Sequence, residues 1–241
     1  MIKRIIILPD IHMRTTVPKP YQLVKRFIKE QKSDEIVLLG DFMDCSALSH
    51  WNKDKKRPME GLRYKKEVAL ANKELDFLEK HTKKITYLEG NHENWVEQYL
   101  DKTPEMEGLI ELPKVLKLKE RKIKWIKMND LYKIGKLYAT HGMYTNKYHA
   151  NKHLSTLGAN VVYGHIHRPQ SDMMNMKMQK PHQATALGCL CSHDPEYMKN
   201  RPANWMNGFG IVYLNETTGS FNLYSINIIN DRFIWNGKEY K

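Results

Sequence analysis

Five short clusters in this chain combine aspartate, asparagine and histidine, the residue types that bind metal ions. In chain order they read "DIH", "GDFMD", "GNHE", "ATHG" and "GHIH", and each follows an apolar run. Mixed carboxylate and imidazole ligands suit borderline divalent ions such as manganese, iron, zinc and nickel, whereas an all-oxygen magnesium site would not use four histidines. Two such ions about 3.5–4 Å apart can generate hydroxide from water and stabilise the attacking and leaving oxygens of a phosphate ester. The clusters therefore predict a metal site whose ligand types would suit such chemistry.

The last cluster places two histidines, His165 and His167, one residue apart after the run "ANVVYG". This run is β-branched and aromatic, which predicts a strand that ends at the glycine. Residues i and i+2 of an extended segment point the same way, so we expect both imidazoles to face one point beyond the strand. A pair of solvated loop histidines is the alternative interpretation.

Short apolar runs alternate with amphipathic ones in the first half of the chain. Strands are predicted at 4–8, 35–40 and 84–90, and helical spacing is present at 21–30 and 61–81. This βαβαβ order indicates parallel strands covered by helices. Ligands of open α/β sheets bind at the carboxyl ends of the strands, where the first three clusters lie.

The second half of the chain is predicted to be mostly β-structure. Ile134-Gly135 and the "TTG" at 217–219 are turn signals between strands. The Met-rich segment 172–179 is predicted to be a mobile or packing loop. Predicted strands lie within 122–128, 131–142, 160–167, 208–214 and 220–228.

The five clusters, taken together and in this order, resemble the sequence blocks of the calcineurin-like metallophosphoesterase superfamily. The resemblance covers about residues 1–170, and the chain looks most like the compact bacterial and phage members. It implies an α/β fold, a four-layer sandwich in which two mixed β-sheets are flanked by helices. We expect one such domain over residues 1–241.

The resemblance also implies two divalent transition-metal ions, with manganese first and iron, zinc or nickel as alternatives. Asp41 would bridge the two ions, because a carboxylate has two oxygens that can bind separate ions. The other ligands would be Asp10, His12 and His167 for one ion, and Asn91, His141 and His165 for the second.

Three further residues in these clusters receive roles that do not involve direct metal binding. His92 would act as general acid at the leaving oxygen, or stabilise the charge that builds there. Asp44 and Glu93 would orient ligand histidines by accepting a hydrogen bond from the other ring nitrogen. For Asp44 and Glu93, loop capping or a simple surface charge is the alternative.

The substrate is indicated mainly by charge. The formal net charge is +12, which favours anionic partners, although a merely soluble basic surface is the alternative. In the insert 46–66, His50 and Trp51 stand beside a basic run that could stack a base and bind phosphates. Arg168 could bind a phosphate oxygen. The alternatives are an exposed loop leading into a helix and a surface arginine before proline.

Three functions fit the sequence. The first is a metal-dependent phosphodiesterase acting on a nucleic acid or nucleotide, by metal-bound hydroxide with His92 as acid. The second is a phosphomonoesterase for nucleotides, sugars or another small molecule. The third is a non-catalytic scaffold that binds nucleic acid. Related protein phosphatases carry an arginine after the second block, where this chain has Cys45 and Ser46, so phosphoprotein hydrolysis is not expected.

The cysteines and the apolar runs indicate the cellular setting. Three cysteines, with Cys189 and Cys191 one residue apart, do not form a disulfide framework, so a reducing cytoplasm is expected. The C-x-C pair is interpreted as small buried hydrophobic residues.

The N-terminal apolar run is too short for a signal peptide, and no run approaches the ~18 apolar residues of a membrane span. We therefore expect no membrane partner. The oligomeric state stays open.

Overall fold

The computed structural model describes residues 1–55, 57, 59–175, 177, 180–193 and 204–241. Its helices are α1 (Lys19–Gln31), α2 (Tyr64–Glu79), α3 (Asn91–Leu100), α4 (Leu112–Val115) and α5 (His149–Leu157), with 3₁₀ turns at Ser46–Leu48, His50–Asn52 and Pro104–Met106. Its strands are β1 (Ile2–Leu8), β2 (Glu35–Leu38), β3 (Ile85–Leu88), β4 (Lys124–Ile126), β5 (Tyr132–Ile134), β6 (Leu137–Thr140), β7 (Asn160–Tyr163), β8 (Gln170–Met174), β9 (His182–Ala186), β10 (Asn207–Asn215), β11 (Phe221–Ile228), β12 (Phe233–Trp235) and β13 (Lys238–Tyr240).

The strands form two mixed sheets and one hairpin. The first sheet has the order β11-β10-β1-β2-β3-β4, in which β1 to β4 are parallel and β10 runs antiparallel to β1. The second sheet has the order β5-β6-β7-β9-β8, in which β6, β7 and β9 are parallel. The predicted hairpin between β5 and β6 is confirmed.

Three buried clusters hold the layers together. On β1, alternate residues face opposite sides, so Ile6 packs towards the helices while Ile7 packs towards the second sheet. On the far side of the second sheet, Leu154 of α5 packs against Val161 of β7. A strand that is buried on both faces reads as a continuous apolar run, which is why the sequence shows it clearly. The predicted arrangement, two mixed sheets flanked by helices, is confirmed.

The structure agrees with the sequence prediction in one of these segments and differs from it in another. The strand predicted within 122–128 is β4, which pairs with β3 and extends the first sheet. The Met-rich segment was predicted to be a loop, but residues 172–174 belong to β8, paired with β9. Met-rich composition gives no alternation signal, so the pairing with β9 decides the conformation there. Residues 176, 178 and 179 of that segment lie outside the described residues.

A search for membrane-spanning helices, made over the described residues, finds no helix with the length and apolar character needed to cross a bilayer.

Phe27 of α1 joins the C-terminal hairpin to the body of the protein. Its fully buried ring lies 5.6 Å from the ring of Phe233 and 5.3 Å from that of Tyr240. Phe27→Ala should lower the free energy of unfolding by about 3–5 kcal/mol, because it removes buried area and leaves a cavity. Urea denaturation measures this loss. Phe27→Leu should cost clearly less, and equal losses for the two variants would contradict the packing role.

Candidate metal centre

The five polar clusters meet at one edge of the molecule. Each follows the carboxyl end of a parallel strand, β1, β2, β3, β6 or β7, and backbone hydrogen bonds join the loops. The N–H of Asp10 donates to the carbonyl oxygen of Gly40 at 3.3 Å, and the N–H of Gly164 donates to that of His141 at 2.8 Å. Parallel strands end at the same side of a sheet, which brings the loops after β1, β2 and β3 together. The packing of the second sheet on the first brings the loops after β6 and β7 to the same place.

The local backbone explains how the paired motifs direct their side chains. Asp10 and His12 have φ of 44° and 50°, and His165 and His167 have φ of 70° and 58°. These left-handed values are uncommon for residues other than glycine. Strand β7 ends at Tyr163, so the prediction that His165 and His167 converge through an extended segment is wrong. They converge because the residues at both ends of each three-residue motif are left-handed.

The first group of candidate ligands comprises Asp10, His12 and His167. The Nε2 atoms of His12 and His167 are 3.1 Å apart, and Asp10 Oδ1 lies 3.4 Å from His167 Nε2. The backbone N–H of His165 donates to both oxygens of Asp10 at 2.9 Å. This bond fixes the carboxylate while its Oδ1 still faces His167.

The second group comprises Asn91, His141 and His165, with Asp41 beside them. Asn91 Oδ1 is 3.0 Å from His141 Nε2. One ligand atom each from Asp41, His141 and His165 falls within a 4.8 Å cluster. The Nδ1–H of His141 donates to the carbonyl oxygen of Leu39 at 2.9 Å, which turns Nε2 towards the centre.

Asp41 lies between the two groups and reaches both with one oxygen. Its Oδ2 is 3.5 Å from His12 Nε2 and 3.4 Å from His141 Nε2. Its Oδ1 accepts a hydrogen bond from the N–H of His92 at 2.9 Å. The sequence argument gave each ion its own carboxylate oxygen. In this geometry, Oδ2 alone would face both ions.

The donor separations fit shared metal ions. Ligand bonds of about 2.1 Å place neighbouring donors ~3.0 Å apart at right angles and ~3.4 Å apart at the tetrahedral angle. The separations in the two groups run from 3.0 Å to 3.5 Å. Imidazole nitrogens and buried carboxylates held so close require a cation or protons between them. The residues present therefore fit two divalent ions.

Burial and neighbouring charges shift the pKa values of the residues in this cluster. Burial raises the pKa of Asp10 to about 7, although His141 opposes the rise. Burial disfavours the charged form of His141, but the Asp41 carboxylate outweighs it and raises the pKa to about 10. Burial and the neighbouring His141 lower the pKa of His165 to about 4. At neutral pH, a metal ion must displace the His141 proton, so binding tightens as the pH rises.

His92 is oriented towards the centre without belonging to either ligand group. Its Nδ1–H donates to the carbonyl oxygen of Asp44 at 2.8 Å, and its Nε2 lies 4.0 Å from Asp41 Oδ2. Its ring packs on Trp95 with centroids 3.9 Å apart. Burial opposes protonation, but the Asp41 and Asp44 carboxylates raise the His92 pKa to about 9. The nitrogen that faces the centre can therefore carry a proton.

Asp44 and Glu93 stabilise the site in different ways. Asp44 Oδ1 lies 3.5 Å from His12 Nδ1 and 3.4 Å from His92 Nδ1, as the sequence argument expects of a residue that orients histidines. Glu93 differs from that expectation, since it lies in the first turn of α3 and binds backbone N–H groups instead of a histidine. Its carboxylate accepts hydrogen bonds from the N–H groups of Asp41, Met43 and Gly90 and from the Tyr87 hydroxyl.

Two cysteines adjoin the centre, which sequence reasoning missed. Cys189 and Cys191 are buried, and Cys191 Sγ lies 3.8 Å from His167 Nδ1. The ring nitrogen of His167 that faces away from the first ligand group therefore meets sulfur. The signal in the sequence was position, since the pair directly follows β9, another parallel strand that ends at this edge.

Two glycines are required by the closeness of these loops. A Cβ on Gly90 would clash with the backbone nitrogen and Oδ1 of Asp41, and a Cβ on Gly164 would clash with Oδ2 of Asp10. Each glycine therefore lets one strand end approach the carboxylate carried by another.

The predicted substrate residues lie outside the ligand groups. His50 and Trp51 form a 3₁₀ turn with ring centroids 4.4 Å apart, and Trp51 is 67% exposed. The guanidinium of Arg168 donates to the carbonyl oxygen of Lys147 at 3.0 Å.

The paired mixed sheets and the two ligand groups are consistent with a metal-dependent phosphoesterase. The chain belongs to the calcineurin-like phosphoesterase family, whose sequence profile matches residues 3–214. Membership supports metal-dependent hydrolysis of phosphate esters.

Individual relatives are distant. The chain is 25% identical over 230 residues to the Gene 54 protein of Mycobacterium phage D29, covering 88% of this chain and 89% of that protein. Among solved structures, wild-type Vps29 complexed with Zn²⁺ from Entamoeba histolytica aligns with a TM-score of 0.52 at 10% identity. That alignment covers 96% of each chain. At this identity, the likeness to Vps29 shows the fold alone.

Asp41→Asn should lower the metal content and the hydrolytic activity more than any single histidine ligand variant. The reason is that Oδ2 of Asp41 faces both ligand groups, whereas His12→Ala and His141→Ala each disturb one. Elemental analysis and a hydrolysis assay of the same samples measure both effects. Asp130→Asn, at an exposed loop position, is the matched control. A protein that is fully active in excess chelator, and contains no metal, would contradict the metal centre itself.

Proposed function

We propose that this protein is a dinuclear-metal phosphodiesterase that acts on a nucleic acid or a nucleotide. The observation that carries the proposal is the orientation of His92, whose Nδ1–H is bound to the Asp44 carbonyl oxygen while Nε2 faces the ligand cluster. Manganese is the proposed ion, with iron, zinc or nickel as alternatives for this mixed ligand set.

Metal ions at the two groups would neutralise charge at phosphorus and activate water. The protein residues supply orientation and a proton. Asp10, fixed by the His165 N–H, and Asp41, fixed by the His92 N–H, offer carboxylate oxygens at set positions. His92 donates its Nε2 proton to the leaving oxygen, and the neighbouring carboxylates favour the protonated imidazole before transfer.

The loop after Asp44 supports a nucleic acid or nucleotide as substrate. Trp51 presents an exposed aromatic face, and Lys53, Lys55 and Arg57 beside it are exposed cations. Aromatic rings stack bases and cations bind the phosphate backbone. Together with the formal net charge of +12, this loop gives an anionic polymer or nucleotide a complementary surface.

His92→Ala should lower kcat by about 10²–10⁴, the usual contribution of a general acid, while the metal content stays near that of the wild type. The loss should shrink for esters of good leaving groups such as nitrophenolate, because those oxygens need little protonation. His182→Ala is the matched control, since His182 begins β9, at the opposite end of the strand from the centre.

Equal losses for good and poor leaving groups would remove His92 from the acid role. Loss of metal together with activity would instead assign His92 as a ligand.

Diester substrates should be preferred over monoesters. With Mn²⁺ present, kcat/KM for bis-p-nitrophenyl phosphate should exceed that for p-nitrophenyl phosphate, since the proposed reaction leaves an ester substituent on phosphorus. The reverse order would favour the phosphomonoesterase. Metal binding without hydrolysis of either compound would favour the non-catalytic scaffold.

Oligonucleotide binding distinguishes a polymer from a mononucleotide. The log affinity of single-stranded DNA should fall with log salt at a slope of roughly −0.7 per phosphate contacted. Joint replacement of Lys53, Lys55, Lys56 and Arg57 should flatten the slope; Lys56 lies outside the described residues. No detectable binding at low salt would instead favour a small phosphate ester as substrate.

A further inference from the structure

Helix α3 carries a stripe of side chains that leads away from the candidate metal centre. His92, Trp95 and Tyr99 are spaced three and four residues apart, so they lie on one face of the helix. Lys102 follows in the turn after the helix ends at Leu100. The ring of His92 packs on that of Trp95 at 3.9 Å. The candidate general acid is thus in direct contact with the first aromatic residue of the stripe.

A pocket of about 390 Å³ lies over this stripe. Trp95 and Tyr99 line it from α3, and Ala47 and His50 line it from the loop that follows Asp44. Small-molecule pockets occupy about 300–1,000 Å³, so the space admits an aromatic heterocycle with its sugar.

The charge of the pocket specifies an anionic ligand. Lys53 and Lys102 belong to its lining, and both residues are exposed. Aromatic walls combined with ammonium groups suit a flat base that carries phosphate. The contact between Trp95 and His92 connects the pocket to the position of the reacting phosphate.

We propose that the pocket lined by Trp95 and Tyr99 binds the nucleobase of a nucleotide whose phosphate lies at the metal centre. This assignment rests on the proposed function and adds to it the pocket that recognises the base. Lys53 and Lys102 bind the phosphate that flanks the base in a longer strand.

The test measures the affinity of two ligands for the manganese-loaded protein by titration calorimetry. Deoxyadenosine 5′-monophosphate and methyl phosphate carry the same phosphate group, so their difference in affinity reports the base and sugar. Stacking of a base is worth about 1–3 kcal/mol, so the nucleotide should bind about 5-fold to 150-fold more tightly.

Two variants remove this advantage in different ways. Ala47→Trp fills the pocket from an exposed position, and Tyr99→Ala removes one wall, so both should bring the two affinities close together. Ala69→Trp, which adds the same ring at an exposed position of α2, is the matched control and should keep the wild-type difference. Tyr99→Ala decides the matter if Ala47→Trp does not fold.

Equal affinities in the wild type would overturn the proposal. A full nucleotide advantage in a folded Ala47→Trp or Tyr99→Ala protein would overturn it as well. These outcomes are independent of turnover. If the protein hydrolyses diesters but binds the nucleotide no better than methyl phosphate, the proposed function stands and the pocket assignment is wrong. If it binds the nucleotide better but hydrolyses no diester, the pocket assignment stands and the proposed function is wrong.

Discussion

The burial of two neighbouring carboxylates, Asp10 and Asp41, is the constraint on which the rest of the site depends. Both side chains are almost completely removed from water, where an isolated negative charge is strongly unfavourable. Histidine nitrogens from the loops after β1, β6 and β7 lie within 3.5 Å of them. Divalent ions satisfy this arrangement better than protons, because each ion compensates the carboxylates and leaves the imidazoles neutral.

This constraint also explains the backbone around the site. Left-handed conformations at Asp10, His12, His165 and His167 each cost free energy, and nothing in a surface loop would require them. Gly90 and Gly164 allow neighbouring strand ends to approach the two carboxylates closely. The carboxylate of Glu93 accepts hydrogen bonds from the backbone of the Asp41 loop and from Gly90 at the start of α3. These bonds hold the loop of Asp41 and the helix end that carries Asn91 in fixed positions.

Helix α3 links the ligand cluster to the proposed base pocket. Its first turn carries Asn91 in a ligand group and His92, whose Nε2 faces the cluster, and its later turns carry Trp95 and Tyr99. The proposed acid and the proposed pocket wall therefore lie on one rigid element, which holds side chains more accurately than a loop. The exposed loop with Trp51 closes the other side of the pocket through His50.

The sequence by itself determined the fold class and the set of side chains that converge. Buried strands such as β1 appear as apolar runs, and polar clusters at their ends predict a shared edge. It did not reveal that β4 joins the first sheet, because short strands pair according to distant partners. The side of the pocket formed by α3 was also not predicted, since no helix was expected over 91–100, and the loop after Asp44 completes the pocket only in the folded structure.

Only the tertiary structure decided which atom of each candidate ligand faces the centre. Asp41 presents Oδ2 to both ligand groups, because the His92 N–H binds Oδ1. Cys191 Sγ lies next to Nδ1 of His167 because β9 pairs in parallel with β7, so that the two strands end at the same edge. Residue type and strand position are local properties that a sequence displays. The direction of a side chain depends on loop dihedrals and on hydrogen bonds from residues far away in the chain, which the sequence pattern does not encode.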